Sequence, residues 1–267
     1  MFYGESFIYD GTASDEFGLM LYEFDGNGQS DADMTAVGEV IEDWVPARYS
    51  SIDYGVQQNS ALSFSLVFGL NPLEVNAGKS IDRWDVQKIA SWLTGLDTPR
   101  WLSIEQSDLK DVRYKCRFTS LTPLSVNGEI YAFSATVTCD SGFAYLLPRE
   151  YSVTSAASVV IHSESSMNGL YYPRLEISIS GGGTLKVANS TNGTGISFKN
   201  LPNTAMTVTI DGLNGVIKSS AGLNMYSYLD GFDFLALSRG DNSISVAAAS
   251  SATTVKIICE YPVNVGA

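Results

Sequence analysis

The sequence predicts a mainly β protein that carries a single helix. Three observations support this. Only one stretch, Ser80–Leu96, shows a helical period. Apolar residues almost everywhere else alternate with polar ones. Turn signals built from Gly, Asn and Asp recur between those alternations at roughly 8–12-residue spacing. The expected architecture is an N-terminal β-barrel or β-sheet domain, residues 1–148, braced by an α-helix over about residues 80–96. An antiparallel β-sandwich domain, residues 149–267, follows it.

In the helical stretch, SIDRWDVQKIASWLTGL, Ser80 is the expected N-cap, with Asp82 in the first turn where the helix dipole favours an acid. Ile81, Trp84, Ile89, Trp92, Leu93 and Leu96 are expected on one buried face. Gly95 is placed for a left-handed stop, and Pro99 blocks continuation. Residues 81–94 would make a rod of roughly 20 Å. Each large side chain contributes about 1.5–3 kcal/mol when buried, so this face needs an apolar surface to lie on. With β-strand on both sides of it, the helix reads as a brace. Its two tryptophans suggest a ligand-stacking face only in isolation, because no convergent polar chemistry accompanies them.

The strands are expected as follows. Phe2, Phe7 and Tyr9 precede an Asp-Gly turn, and Phe17, Leu19 and Leu21 share a face after it. Residues 25–38 are a polar, glycine-bearing loop. Leu62, Phe64, Leu66 and Phe68 line one side of a half-buried strand, which ends at Asn71-Pro72 and a second polar loop through residue 79. After the helix, Leu102 and Ile104 alternate with Trp101, Ser103 and Glu105, and Tyr114, Cys116 and Phe118 make another strand. Asn127-Gly128 signals a two-residue hairpin whose return strand carries Tyr131, Phe133, Ala135, Val137 and Cys139. Composition shifts after Leu147-Pro148-Arg149. Short alternations then run through Val159–Ile161, Leu175–Ile179, Leu185/Val187, Ile196/Phe198, Met206–Ile210, Val216/Ile217, Phe232/Phe234, Ile244/Val246 and Val255–Cys259. Gly181–Gly183, Asn192-Gly193, Asp211-Gly212, Asn214-Gly215 and Gly240–Asn242 punctuate them.

The chain has 267 residues, 45% of them apolar and 17% charged, which is the composition of a folded chain long enough for two cores. No apolar run reaches the roughly 18 residues of a membrane span, and the N-terminus lacks a basic segment before an apolar one, so neither membrane insertion nor a signal peptide is expected. The three cysteines, Cys116, Cys139 and Cys259, lie in strand-like segments and are expected as reduced, buried thiols. Residues 1–148 carry 9 Lys and Arg against 21 Asp and Glu, a net −12, while residues 149–267 carry 7 against 8, a net −1. That acidity excludes ordinary nucleic-acid binding, which needs basic side chains on the phosphates. The asymmetry also marks a boundary near residue 148.

Catalytic and metal-binding patterns are missing from the sequence, so no catalytic, cofactor or metal site is expected. His162 is the only histidine. It falls at the edge of a strand-like run, without a nucleophile elbow, and reads as structural or superficial. The cysteines lack zinc spacing. No phosphate-cradling or dinucleotide motif is present, since Gly26-Asn27-Gly28 has no strand–helix context. Asp25, Asp31 and Asp33 have calcium-loop composition without the closing Glu, and read as a solvated acidic loop. Asn189-Ser190-Thr191 and Asn192-Gly193-Thr194 match glycosylation sequons but read as inert turns. A sugar site would need an aromatic face. All four tryptophans (Trp44, Trp84, Trp92, Trp101) lie in the first half, which leaves Tyr171, Tyr172, Tyr226, Tyr228, Phe232, Phe234 and a few others in the second, available also to core packing.

The order of segments resembles the distal tail protein (Dit) family of long-tailed bacteriophages. The segments are MFYGESFIYDG, EFGLML, DRWDVQKIASWL, TPRWLSIE and FSATVTCDSGFAYLLP, then YYPRLEISISGGG, SFKNL, TVTIDGLNGVIKS and GLNMYSYLDGFDFLALSRGDNSISV. The resemblance spans nearly the whole chain, and it lies in the order of elements more than in any short motif. It implies that the sandwich is galectin-like and that the protein is a non-enzymatic virion component, assembled in the host cytoplasm and found at the distal end of the tail. Six N-terminal domains would form a homohexameric ring between the tail tube protein and a tail-associated hub or lysin protein. The galectin-like domains would face receptor-binding or baseplate proteins. DNA would pass through the ring without being bound, and an acidic lumen would prevent it from sticking. Loops 25–38 and 71–79 are the candidate contacts with a neighbour or the tube. The C-terminal half lacks the long insertion that some relatives use for carbohydrate binding. The competing reading is a carbohydrate-binding module that attaches the phage to host-surface glycans through the C-terminal sandwich.

Overall fold

Asp10-Gly11 and Asn127-Gly128 both take left-handed backbone at each central residue, with φ of 51° and 81° and of 52° and 87°. This is the twist that folds a chain into tight antiparallel hairpins. The computed structural model describes residues 6–22, 39–57, 61–71, 80–107, 109–249 and 253–265. It divides into two compact units, Met1–Tyr145 with Asn264–Ala267, and Leu146–Val263.

The first unit contains β1 (Phe7–Tyr9), β2 (Thr12–Ala13), a 3-10 turn (Ser14–Phe17), β3 (Leu19–Leu21), β4 (Glu39–Asp43), β5 (Ile52–Gln57), β6 (Ser63–Leu70), α1 (Arg83–Thr94), β7 (Arg100–Ile104), β8 (Val112–Val126) and β9 (Glu129–Cys139), with β10 (Ala144–Leu146) leading onward. Its main sheet runs β2-β1-β7-β8-β9-β6-β3, every pair antiparallel. The inward residues are the expected ones: Phe7 and Tyr9, Phe64, Leu66 and Phe68, Leu102 and Ile104, Tyr114, Cys116 and Phe118, and Phe133, Ala135, Val137 and Cys139 are all buried. Leu19 and Leu21 are buried in β3, but Phe17 belongs to the preceding 3-10 turn and not to their strand. On the other face Trp101 carries the Arg113 guanidinium 3.7 Å above its ring, a cation–π contact, and packs edge-on to Tyr145. Among the described residues strands β4 and β5 pair only with each other, a hairpin that no alternation or turn signal in the sequence predicts.

The helix departs from expectation at four points. It is shorter than expected and leaves Ile81 and Leu96 outside: Ile81 is buried, but as a bridge to Ile130 ahead of the helix, and Leu96 is half-buried beyond its end. Its N-cap is Asp82, not Ser80: the carboxylate accepts from the backbone N–H of Trp84 (2.8 Å) and Asp85 (2.9 Å), which a serine two positions earlier cannot reach. Gly95 is not left-handed (φ −79°). The glycine is required because a Cβ there would collide with the Ser91 carbonyl oxygen. Trp84 is not in the core but 72% exposed. At 3.6 residues per turn it lies about 140° from Ile89 and opposite Leu93, the two helix residues buried against the sheet. Trp92 does face inward. Its ring stacks on Phe7 (5.6 Å between centroids, 7° between planes) and Phe17 (4.9 Å, 19°), and its Nε1–H donates to the Tyr9 carbonyl at 3.1 Å.

The second unit contains β11 (Arg149–Thr154), β12 (Ser158–Ser163), β13 (Arg174–Ile179), β14 (Gly183–Asn189), β15 (Gly195–Leu201), β16 (Met206–Asp211), β17 (Val216–Ser219), a 3-10 turn (Met225–Tyr228), β18 (Gly240–Ala248) and β19 (Thr254–Cys259). They form two antiparallel sheets, β11-β19-β13-β16-β17 and β12-β18-β14-β15. Both sheets contribute to one core, including Ile177, Val208 and Val255 from the first and Ile161, Val187 and Ile244 from the second. The unit is therefore a sandwich. Phe232 and Phe234 are not in a strand. Residues 231–236 run without regular pairing, Gly231 has φ of 100°, and Ala236 is held by side chains. Gly240–Asn242, expected as a turn, instead opens β18.

Trp92→Ala is expected to destabilise the first unit by about 3 kcal/mol, and Trp84→Ala by no more than about 0.5 kcal/mol, in denaturant unfolding. Burial pushes the Tyr9 phenol up to about 12 from its usual 10. A raised folded-state value means the stability is fully present below about pH 10 and is lost as pH rises toward 12. The fall in melting temperature between pH 9 and 11.5 should therefore be smaller in Tyr9→Phe than in wild type.

Candidate functional site

Three asparagines organise one end of the second unit. Asn189, at the end of β14 and buried, donates through Nδ2 to the Ala236 carbonyl (2.8 Å) and to Asn242 Oδ1 (2.9 Å). Asn192 donates to the same carbonyl (3.0 Å) and to Ser238 Oγ (3.1 Å), while its Oδ1 accepts from the backbone N–H and Oγ1 of Thr194. Asn242, also buried, accepts from the Ser238 N–H (2.9 Å) and donates to the carbonyls of Ser238 (2.7 Å) and Gly240 (2.8 Å). Both sequon asparagines thus have their amide nitrogens committed inside the fold, which gives a physical reason for inert turns.

This network fixes the segment after Gly231 against the β14–β15 turn, and Phe234 of that segment packs beside Gly212 of the Asp211–Gly215 turn. Between them lies a groove of about 400 Å³ lined by Tyr172, Asn192, Leu213, Phe232, Asp233 and Phe234, among others. Gly212 permits it. A Cβ there would stand 3.2 Å from Phe234 Cβ and 3.3 Å from Tyr172 Cδ1, so any other residue would push the two rings apart. Three of the six aromatic residues singled out from sequence therefore meet here. The other three do not. Tyr171 packs on Tyr261 (5.1 Å between centroids), with its hydroxyl accepting from the Glu260 N–H. Tyr226 accepts from the Ile217 N–H and donates to the Gly215 carbonyl. Tyr228 packs against the sandwich core.

His162 lies opposite Asp241 across β12 and β18, its Nδ1 2.7 Å from Asp241 Oδ1, and both side chains are open to solvent. This is a surface cross-strand pair. Cys116 and Cys139 oppose one another in register, buried and unbridged, and Cys259 is likewise free. Burial pushes the Cys259 thiol up to about 11, so it is held as the unreactive thiol. Among the described residues no three His, Cys, Asp or Glu side chains converge to hold a metal ion. Asp25, Asp31 and Asp33, loop 25–38 and residues 72–79 lie outside the described residues.

The first unit offers a different surface. On the β4–β5 hairpin Trp44, Val45, Tyr49 and Tyr54 are all exposed, Tyr49 completely, and Trp84 is exposed on α1. A two-stranded ribbon is marginal on its own in water, and several large apolar side chains in the open usually mark a contact surface.

The fold and these surfaces define a mainly β protein of two units whose distinctive features, among the described residues, are exposed aromatic surfaces. Residues 2–141 match the family described as phage tail protein N-terminal domain, and residues 142–259 match its counterpart, described as phage tail C-terminal domain. The chain belongs to this family of phage tail proteins. Two solved structures are similar across nearly their whole length. One is the Dit (gp 19.1) protein of phage SPP1, described as a paradigm of the hub adsorption apparatus in phages infecting Gram-positive bacteria (TM-score 0.65, 11% identity, covering 96% of this chain and 98% of that one). The other is a chain of the phage P2 baseplate in its activated conformation with calcium (TM-score 0.52, 11% identity, covering 95% and 97%). No curated protein sequence matches the chain.

Asn242→Ala removes partners from the buried Asn189 amide and from Ser238, and is expected to cost about 3 kcal/mol in denaturant unfolding. A loss below about 1 kcal/mol would show that water replaces the side chain and that the network does not hold the segment.

Proposed function

We propose that the chain is a structural, non-enzymatic hub of the distal phage tail, with six copies closing a ring that joins the tail tube to tail-associated hub and receptor-binding or baseplate proteins. The observation that carries this reading is the double family match combined with a fold shared, end to end, with a protein described as a hub adsorption component. The first unit, residues 1–148 in the sequence division, forms the ring. The sandwich, galectin-like in build, faces outward.

Two properties of the first unit support these roles. A ring subunit must keep apolar surface for its neighbours, and Trp84 with the hairpin aromatics supplies it without any cost to the core. A DNA passage must not hold phosphates, and the net −12 of residues 1–148 repels them.

Purified protein should show rings in negative stain and, by light scattering, a species of about 170 kDa, six times the 28.8 kDa chain. Trp84→Ala and Tyr49→Ala should raise the concentration needed for ring formation about tenfold while leaving the melting temperature unchanged. A strictly monomeric protein at high concentration, with no rings even alongside tube protein, would contradict the reading.

A further inference from the structure

We infer that the groove between Gly212 and Phe232 in the second unit is a binding site for a neutral polyhydroxylated ligand, namely a pyranose ring of a glycan. The site belongs to the sandwich alone and stands whether or not the chain forms rings.

The chemistry of the lining selects the ligand. Phe232 is 79% exposed, so one ring face is open to solvent, and the Leu213 side chain is exposed beside it. An open aromatic face accepts the C–H face of a sugar ring. Asn192 and Thr194 spend their polar groups on each other, on Ala236 and on Ser238, so they form a rigid wall rather than a set of free contacts. Two polar groups remain. Among the described residues, neither the Asp233 carboxylate nor the Tyr172 hydroxyl has a hydrogen-bond partner. A carboxylate accepts from two adjacent hydroxyls at once, and a phenol both donates and accepts.

Charge and size narrow the class further. No Lys or Arg lines the groove, and Asp233 is acidic, so phosphorylated or carboxylated ligands are repelled. The volume of about 400 Å³ sits at the small end of ligand sites, roughly 300–1,000 Å³, which suits one or two sugar rings. An apolar protein side chain seated on Phe232 would strip water from Asp233 without supplying the adjacent donors that a sugar brings, leaving a buried carboxylate unpaired. The Gly212 turn and the asparagine network set the spacing of the rings before any ligand arrives, so little ordering cost remains on binding.

The test uses the full chain with methyl glucoside, methyl galactoside, N-acetylglucosamine and their disaccharides as probes, in saturation-transfer NMR and calorimetry. At least one probe should bind with a millimolar dissociation constant. Phe232→Ala should weaken it about tenfold, and Asp233→Asn severalfold, with no change in melting temperature because both side chains are exposed. Phe232→Trp should retain binding. Three outcomes would overturn the inference: no transfer to any probe, binding that is indifferent to Phe232→Ala, and a groove that responds to an apolar peptide but to no glycoside.

Discussion

The first unit depends on how Trp92 is held. Its ring lies between Phe7 of β1 and Phe17 of the 3-10 turn, and its indole N–H is satisfied by the Tyr9 carbonyl. Phe7 in turn meets Phe68 of β6 edge-on at 5.2 Å, and Tyr9 meets Phe118 of β8 at 4.9 Å. One side chain therefore couples the helix to both ends of the sheet path. Because the donor is satisfied, the half-buried ring packs inward without an orphaned polar atom. With the helix locked from one side, its opposite side is free of structural duty, and Trp84 stands there in solvent. A stable brace and an exposed aromatic thus come from one twelve-residue helix.

The second unit solves a different problem with polar groups. A sandwich buries its apolar faces well but leaves the chain ends between strands without partners. Here Asn189, Asn192 and Asn242 converge on Ala236, Ser238 and Gly240 and replace the missing backbone ladder. The consequence is a fixed irregular segment that carries Phe232 on the surface and packs Phe234 half-buried against the core. Buried networks of this kind are stabilising only when every member is satisfied, and each of the three asparagines is.

Much of this architecture was legible in the sequence because burial imposes a period. The strands around Phe64, Tyr114 and Phe133 alternate since one face is core and the other is not, and the Asp-Gly and Asn-Gly pairs name their hairpins. Trp84 reads as a core residue because large apolar side chains near a helical period look alike, while its wheel position, opposite Leu93, decides otherwise. The β4–β5 hairpin was illegible for a related reason. Segments such as IEDWVPARYSSIDY bury neither face against the unit, so no in-and-out pattern is written into them. In the groove, Phe232 and Phe234 mimic a strand by their spacing. The contrary signals were Gly231 before them and Asp233 between them. Gly240–Asn242 reads as a turn because Asn242 does make turn-like bonds, though from the start of a strand.

On the proposed reading, the exposed aromatic groups of the first unit make contacts between like copies, and the acidic excess of residues 1–148 keeps a DNA passage from holding phosphates. The central claim is that the exposed aromatics of the first unit are contacts within a ring at the end of the tail. The most direct measurement is a cryo-electron-microscopic reconstruction of the distal tail. It should show six copies around the axis between tube and tip, with Trp84 and the residue 39–57 hairpin buried against neighbouring protein. Finding the chain elsewhere in the particle, or in a ring with those side chains facing solvent, would contradict the account.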